Sequence, residues 1–259
     1  MAEALLGGLR AAGAPAESLV AADVDAARRE RLHQLFGVHT TDDNAQLVEC
    51  SDVVVLAVKP SVVPTVLEQL AGHRELTRPL WISIAAGVPL AKLEAELPEG
   101  ARVIRSMPNT PALVRAGATA FCANAAANED DRAAAQELFE GVGTCWEAPQ
   151  EELLDAVTGL SGSGPAYVFA FLEALTDAGE AEGLPRATAS ELAYQTVYGA
   201  ALLAKESPRN PADLRRQVSS PGGTTVAGLA ALDAADFHEA VHRAVRAATK
   251  RAGELGRGE

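Results

Sequence analysis

The sequence predicts an α/β N-terminal domain built on a mainly parallel sheet, followed by an all-α domain. Three observations carry this. Short β-branched runs alternate with helical segments over residues 1–149, the pattern of βαβ units. Strand signals stop after Pro149, and residues 150–259 read as helices alone. The 259 residues suit one large domain or two modest ones, and 48% of them are apolar, enough to bury a sizeable core. The predicted division is therefore 1–149 and 150–259.

Each element has a local reason. Met1 to Ala12 carries Leu5, Leu6 and Leu9 at helical spacing and stops at Gly13. Ser18 to Ala22 is a short apolar strand, and Asp25 to Phe36 an amphipathic helix closed by Gly37. Asn44 to Glu49 is a short helix. Asp52 to Val58 (DVVVLAV) is a continuous β-branched run that suits a strand buried on both faces. Helices follow over 61–70, 90–97 and 128–140. Strands follow over 80–85, 102–105, 119–123 and 144–147. Beyond them, 152–182, 187–205, 211–216, 226–232 and 236–255 are helical, and their alanine richness favours close packing.

Composition excludes several functions. Lys+Arg is 22 and Asp+Glu is 35, so 22 − 35 gives −13, which opposes binding to a nucleic-acid backbone. Aromatics at 4% leave little for base stacking. Cys50, Cys122 and Cys145 match no zinc spacing and no disulfide framework, so a reducing cytoplasm is expected. No apolar run is long enough for a transmembrane helix, and no metal site is expected. His238 and His242 form an i, i+4 pair, but Phe237, Val241 and Val245 mark the buried face and leave the histidines in water.

The beginning is unusual. A nucleotide-binding α/β domain opens with a strand, then G-x-G-x-x-G/A, then a helix. Here only the helix is present. Ala2 falls where the third small residue would be. The expectation is that a strand and a G-x-G lie upstream of Met1, and that the chain as written binds a dinucleotide poorly.

Five segments could carry chemistry. In Gln217 to Leu229 (QVSSPGGTTVAGL), Pro221, Gly222 and Gly223 make a tight turn, and Thr224 and Thr225 open a helix. Free backbone N–H groups there would suit a carboxylate or phosphate, or the segment is a capped loop. Ala57-Val58-Lys59-Pro60, Ala85-Ala86-Gly87 and Met107-Pro108-Asn109 each follow a strand, where ligands of open α/β sheets bind. Ordinary turns have the same composition. Gly159 to Pro165 (GLSGSGP) misses the nucleophile-elbow spacing, because Ser163 stands at its last position.

Taken together, AVKP (57–60), ISIAAGVP (82–89), VIRSMPNTP (103–111), LSGSGPAYVF (160–169) and QVSSPGGTTVAGL (217–229) resemble the pyrroline-5-carboxylate reductase family. The resemblance spans nearly the whole chain, in the family's order. It implies a Rossmann-like domain, a helical domain that forms a homodimer, and a homodimer that can assemble into a larger ring. It implies hydride transfer from NADPH or NADH to Δ1-pyrroline-5-carboxylate, giving L-proline. By the same resemblance Val218, Ser220, Gly222, Gly223, Thr224 and Thr225 would bind substrate, with Thr225 acting near the ring nitrogen. Ala2, Asp23, Asn44, Ala57, Val58, Lys59, Pro60, Ala85, Ala86, Gly87, Met107, Pro108 and Asn109 would line the cofactor. Asp23 departs from the small hydroxyl common in the family. It would bond a ribose 2′-OH and repel a 2′-phosphate, whereas Arg28 and Arg29 pull the other way, so the expectation leans to NADH or dual use. Two other readings share the sequence. One is a different imine or β-hydroxyacid reductase; the other is an inactive paralogue that serves only as a dimerisation partner.

Overall fold

The computed structural model describes residues 1–73 and 76–259. They form two compact units, Met1–Ser163 with Arg246–Glu259, and Gly164–Val245.

The first unit alternates strands and helices. Its elements are α1 (Ala2–Ala11), β1 (Val20–Ala22), α2 (Ala26–Phe36), β2 (His39–Thr41), α3 (Asn44–Glu49) and β3 (Val53–Leu56). Then come α4 (Val63–Leu70), β4 (Leu80–Ser83), α5 (Leu90–Glu96), β5 (Arg102–Met107), β6 (Gly117–Ala123), α6 (Glu129–Glu140), β7 (Gly143–Glu147) and α7 (Leu153–Val157). Three of its helix starts, those of α2, α3 and α6, are side-chain capped. Asp25 accepts from the Ala27 N–H, Asp43 from Ala45 and Gln46, and Asn128 with Asp131 makes a reciprocal capping box. Gly37 ends α2 in the left-handed conformation at φ 71°.

The strands form two sheets. β1 pairs with β2 in parallel, and the larger sheet runs β3-β4-β5-β6-β7. All its pairings are parallel except β5 with β6. Successive side chains on a strand point to opposite faces, so each strand feeds two cores. Trp81 and Val103 join Leu67, Leu93 and Leu154 on one face. Ile82, Ile104 and Phe121 join Leu5 and Phe139 on the other.

Three expectations are corrected. The 52–58 run is not buried on both faces: Val54 and Leu56 are buried on one, whereas Val53 on the other is 41% exposed, and Val58 lies beyond the strand, which is the edge strand of its sheet. β2 was not anticipated, because HTT over 39–41 offers no apolar alternation. The helix expected over 152–182 is broken by a π turn at Thr158–Gly162. The 149/150 division follows the end of the strands, whereas the compact units divide at Ser163/Gly164, with α7 packed against β5 and β6.

The second unit contains α8 (Gly164–Ala181), α9 (Arg186–Glu206), α10 (Pro211–Gln217) and α11 (Thr224–Ala234). The final helix, α12 (Phe237–Arg257), begins in this unit and ends in the first. α8 and α9 join through Gly183 at φ +95°, and a Cβ at Gly179 would lie 3.1 Å from Ala189 Cβ. The pair leaves much apolar surface uncovered: Phe169, Tyr198 and Leu203 are 58%, 62% and 57% exposed. Phe237 and Val241, expected on a buried face, are also exposed in the single chain. Exposed apolar side chains on both helices are what a partner surface would need. Among the described residues, no helix is long and apolar enough to cross a membrane.

α1 tests the packing of the first unit. A Cβ at Gly8 would overlap Val142 Cγ1 and sit 3.0 Å from the Gly141 carbonyl oxygen, whereas one at Gly7 meets only Phe36 at 3.4 Å. Gly8→Ala should destabilise by about 1–3 kcal/mol, a fall in Tm of roughly 2–10 °C. Gly7→Ala should be neutral or gain up to about 1 kcal/mol from helix propensity. Thermal melts of the two variants decide it, and the reverse order would contradict the packing.

Candidate active site

In the first unit the carboxyl ends of β3, β4 and β5 lie on one sheet edge, because the three strands are parallel. Ala57, Val58, Lys59 and Pro60 follow β3. Val58 and Lys59 are exposed, and Pro60 opens a 3₁₀ turn closed by Val62 N–H donating to Lys59 O at 2.9 Å. After β4, Ala85 is buried, Ala86 is exposed and Gly87 adopts φ +71°. A Cβ on Gly87 would lie 3.3 Å from Leu255 Cβ, so the α12 end covers one side of this loop. Ser83 holds the loop base: its hydroxyl accepts from Ala85 N–H at 3.3 Å, and its carbonyl accepts from Ser106 Oγ at 2.9 Å.

At the end of β5, Met107 is partly buried, and Pro108 and Asn109 after it are buried. The Asn109 amide is used internally. Its Oδ1 accepts from Ala118 N–H at 2.9 Å, and its Nδ2 donates to Ser161 O at 3.0 Å. It therefore braces the loop, a role its place between two prolines did not disclose.

At the end of β1, Asp23 Oδ1 accepts from Asp25 N–H at 2.9 Å, and its Oδ2 is 3.7 Å from Arg28 Nη1. Arg29 is tied inward, donating to the carbonyls of Asp23 and Val24 and standing 3.5 Å from Asp42. Arg28 is largely exposed. Asn44 begins α3, and its amide donates to Gln69 at 3.4 Å. Ala2 is the first residue of α1, whose N-cap Met1 supplies no side-chain cap.

The second unit holds the other set. Gly223 N–H donates to Ser220 O at 2.9 Å, closing a four-residue turn with Pro221 and Gly222 at its centre. Gly222 is at φ +69°, the left-handed position of a type II turn after Pro. Gly223 is then the N-cap of α11 and offers no side chain. The Ala227 N–H is bonded back to Gly223 O at 3.3 Å, so Thr224, Thr225 and Val226 present the orphan N–H groups of the first turn. Thr225 is partly buried and Val218 is exposed. Ser219 spends its hydroxyl on Arg215 O at 2.6 Å.

Thiol chemistry has no support in this arrangement. Burial first, and Glu140 next, push the Cys145 thiol up to about 11, and burial with nearby glutamates raises Cys122. Among the described residues, no cluster of His, Cys, Asp or Glu could hold a metal ion.

Sequence reasoning missed one buried group. Arg105, inside β5, is 7% exposed. Its Nη1 donates to Glu151 Oε1 at 2.7 Å and its Nη2 lies 3.5 Å from Asp155 Oδ1. The signal was available: an arginine directly after Val103 and Ile104, inside a strand, must find carboxylates if it is buried.

Comparison with known proteins gives this geometry a context. A family model described as pyrroline-5-carboxylate reductase dimerisation matches residues 151–255, and one described as NADP oxidoreductase coenzyme F420-dependent matches residues 1–87. The pyrroline-5-carboxylate reductase of Synechocystis sp. is 48% identical, over 99% of this chain and 95% of its own. That of Pseudomonas aeruginosa is 45% identical, over 98% and 93%. A solved pyrroline-5-carboxylate reductase from Coxiella burnetii superposes with a TM-score of 0.93 at 39% identity, covering 98% of this chain and 94% of that one. A Plasmodium falciparum pyrroline carboxylate reductase with NADP bound gives 0.86 at 32%, covering 98% and 93%. Extended N-terminal and C-terminal likeness at these identities has one meaning: the chain belongs to the pyrroline-5-carboxylate reductase family.

Proposed function

We propose that the chain reduces Δ1-pyrroline-5-carboxylate to L-proline with NADPH, and that NADH is a second donor. The observation that carries this is the start of α11, where a type II turn leads into the orphan N–H groups of a first helical turn that also carries Thr224 and Thr225. Such a helix start takes an anion, and the substrate's carboxylate is one that fits it. Ser220, Gly222, Gly223 and Thr224 would hold it, and Val218 would cover the ring.

The residues of the first unit fit a dinucleotide. Ala86 is exposed and carries only a methyl group, leaving room for a flat ring on the side that α12 does not cover. α1 starts without a side-chain cap, leaving its N–H groups for a pyrophosphate. Ala57, Val58, Lys59 and Pro60 would flank the dinucleotide, Ala85, Ala86, Gly87, Met107 and Pro108 its nicotinamide end, and Asn44 its adenosine end. Asp23 is engaged by Asp25 N–H and Arg28, which lessens its repulsion of a 2′-phosphate and supports NADPH over the NADH lean. When bound, the reduced nicotinamide supplies the hydride that the C=N carbon accepts.

The chain's own part is orientation. The helix start fixes the carboxylate, and the Thr225 hydroxyl fixes the ring nitrogen. The nitrogen takes one proton, from water through Thr225 or by entering as the iminium. One hydride and one proton then account for the new C–H and N–H bonds. The reading includes a homodimer built on α8, α9 and α11, a ring of such dimers and a cytoplasmic location.

Thr225→Ala should lower kcat/KM for the imine roughly 10–100-fold, the value of a hydrogen bond to a charged group, and Thr225→Ser should restore most of it. NADPH absorbance with the cyclic imine is the measurement, and an alanine variant within twofold at every pH would remove this role. Gly222→Ala forces a Cβ into φ +69°, at a cost of about 1–2 kcal/mol. It should raise KM for the imine and leave KM for NADPH unchanged. Tyr198→Asp should shift the sedimenting species from dimer toward monomer, because it places a charge in the exposed apolar face of α9. An unchanged species would exclude that face from the interface.

A further inference from the structure

Three side chains on the same face of the β5 segment, at alternate positions, grip the chain that follows β7. Arg105 pairs with Glu151 and Asp155. Met107 packs where a Cβ on Gly162 would lie 2.5 Å from its Cε. Asn109 bonds Ser161 O in the π turn. A π turn is an uncommon device that recurs at functional sites, and this one is held from below by β5.

The Arg105 cluster reaches further. Glu151 Oε1 accepts a second hydrogen bond, from Leu90 N–H at 2.8 Å. Leu90 opens α5, directly after the Ala85–Pro89 loop, and its N-cap Pro89 cannot cap with a side chain. Asp155 Oδ2 lies 3.2 Å from where a Cβ on Gly253 would be, so the same cluster also touches the α12 end that covers Gly87. One carboxylate oxygen therefore ties β5 to the start of α5. The two loops it connects are those that the proposed function sets at the nicotinamide end. Cys122, opposite Arg105 in the β5–β6 register, feels this setting: burial and then the Glu151, Glu147 and Glu152 charges raise its thiol, with Arg105 opposing.

We propose that Arg105 is a positioning residue for the reduction: through Glu151 it holds the β4–α5 loop and the carboxyl end of β5 at one fixed spacing, and so sets the cofactor's nicotinamide end. Arg105 touches no reactant. The proposal rests on the cofactor reading above, and its test has readouts other than turnover.

Four variants are compared: Arg105→Met, Arg105→Lys, Glu151→Ala and Glu151→Gln. NADPH affinity is measured by fluorescence titration without imine. Exchange of the Leu90 amide is followed by hydrogen–deuterium exchange, and kcat and both KM values are measured. Arg105→Met and Glu151→Ala should each weaken NADPH binding at least fivefold and speed Leu90 exchange at least tenfold. KM for the imine should stay within twofold. Glu151→Gln keeps an oxygen for Leu90 N–H, so it should recover more than half of both losses, and Arg105→Lys should fall between Arg105→Met and wild type. If folded Arg105→Met and Glu151→Ala bind NADPH within twofold of wild type, the positioning role is wrong. Should Arg105→Met not fold, the Glu151 pair decides: equal losses in the alanine and glutamine variants overturn the proposal. A wild-type chain that binds NADPH but leaves the imine unreduced ends the substrate reading alone; one that binds no NADPH ends the cofactor reading, and Leu90 exchange unchanged in Arg105→Met and Glu151→Ala ends the positioning role separately.

Discussion

A guanidinium cannot lose water inside a sheet without finding negative charge. Arg105 meets that constraint in β5 with Glu151 and Asp155, and much of the first unit is arranged by it. Arg105 is buried and its two carboxylates are partly exposed, so removing one carboxylate leaves a buried guanidinium with less to satisfy it, at a cost of roughly 1–3 kcal/mol. The cluster therefore dictates where the chain goes after β7. Glu151 must return beneath β5, which places α7 against β5 and β6. Its second hydrogen bond, to Leu90 N–H, satisfies a donor that the start of α5 would otherwise leave open. The apolar cores on either face of the sheet supply most of the stabilisation, and they are non-directional. The ion cluster supplies direction.

Direction matters because the proposed site contains few reactive groups. The sheet edge at the ends of β3, β4 and β5 offers small residues, a glycine in the left-handed region and one lysine. The start of α11 offers backbone N–H groups and two hydroxyls. Both sets suit anions, although the chain carries −13. The resolution is local. Orphan N–H groups at a helix terminus carry partial positive charge whatever the surface charge, and within one turn of the ligand they outweigh distant, screened carboxylates. An acidic surface and an anionic substrate are compatible when recognition is delegated to the backbone.

The sequence disclosed elements whose reasons are local. The helices expected over 44–49 and 128–140 are present as α3 and α6, and the structure shows Asp43 and Asn128 with Asp131 capping them, an effect that acts within four residues. The turn at 220–223 was legible because Pro followed by Gly demands φ > 0 at the second position. What was hidden depends on contacts distant in sequence. β2 is a three-residue strand that exists only because β1 pairs with it. The edge position of β3 depends on strand order, which a hydrophobic run cannot state. Arg105 was visible as an oddity in VIRSM, yet its partners stand 46 and more residues away. Asn109 shows the same limit: its type and neighbours suggested a ligand contact, and only the fold shows its amide spent on Ala118 and Ser161.

These points converge on how such a site can accelerate a reaction. Neither a thiol, a metal cluster nor an activated base stands among the described residues of the proposed site, and threonine is a weak acid on its own. Hydride transfer to a carbon of a C=N bond asks mainly that two planes meet at a set distance, and correct placement alone can supply several kcal/mol of the barrier. Placement is only as good as the framework behind it. A loop built on Ala85, Ala86 and Gly87 has almost no side-chain anchors of its own, so its position must be imposed by neighbours. Ser83 fixes its base, the end of α12 covers one side, and Glu151 fixes the helix that follows. The smallness that lets a ring approach the backbone is thus the same property that makes the loop depend on a buried arginine one strand away.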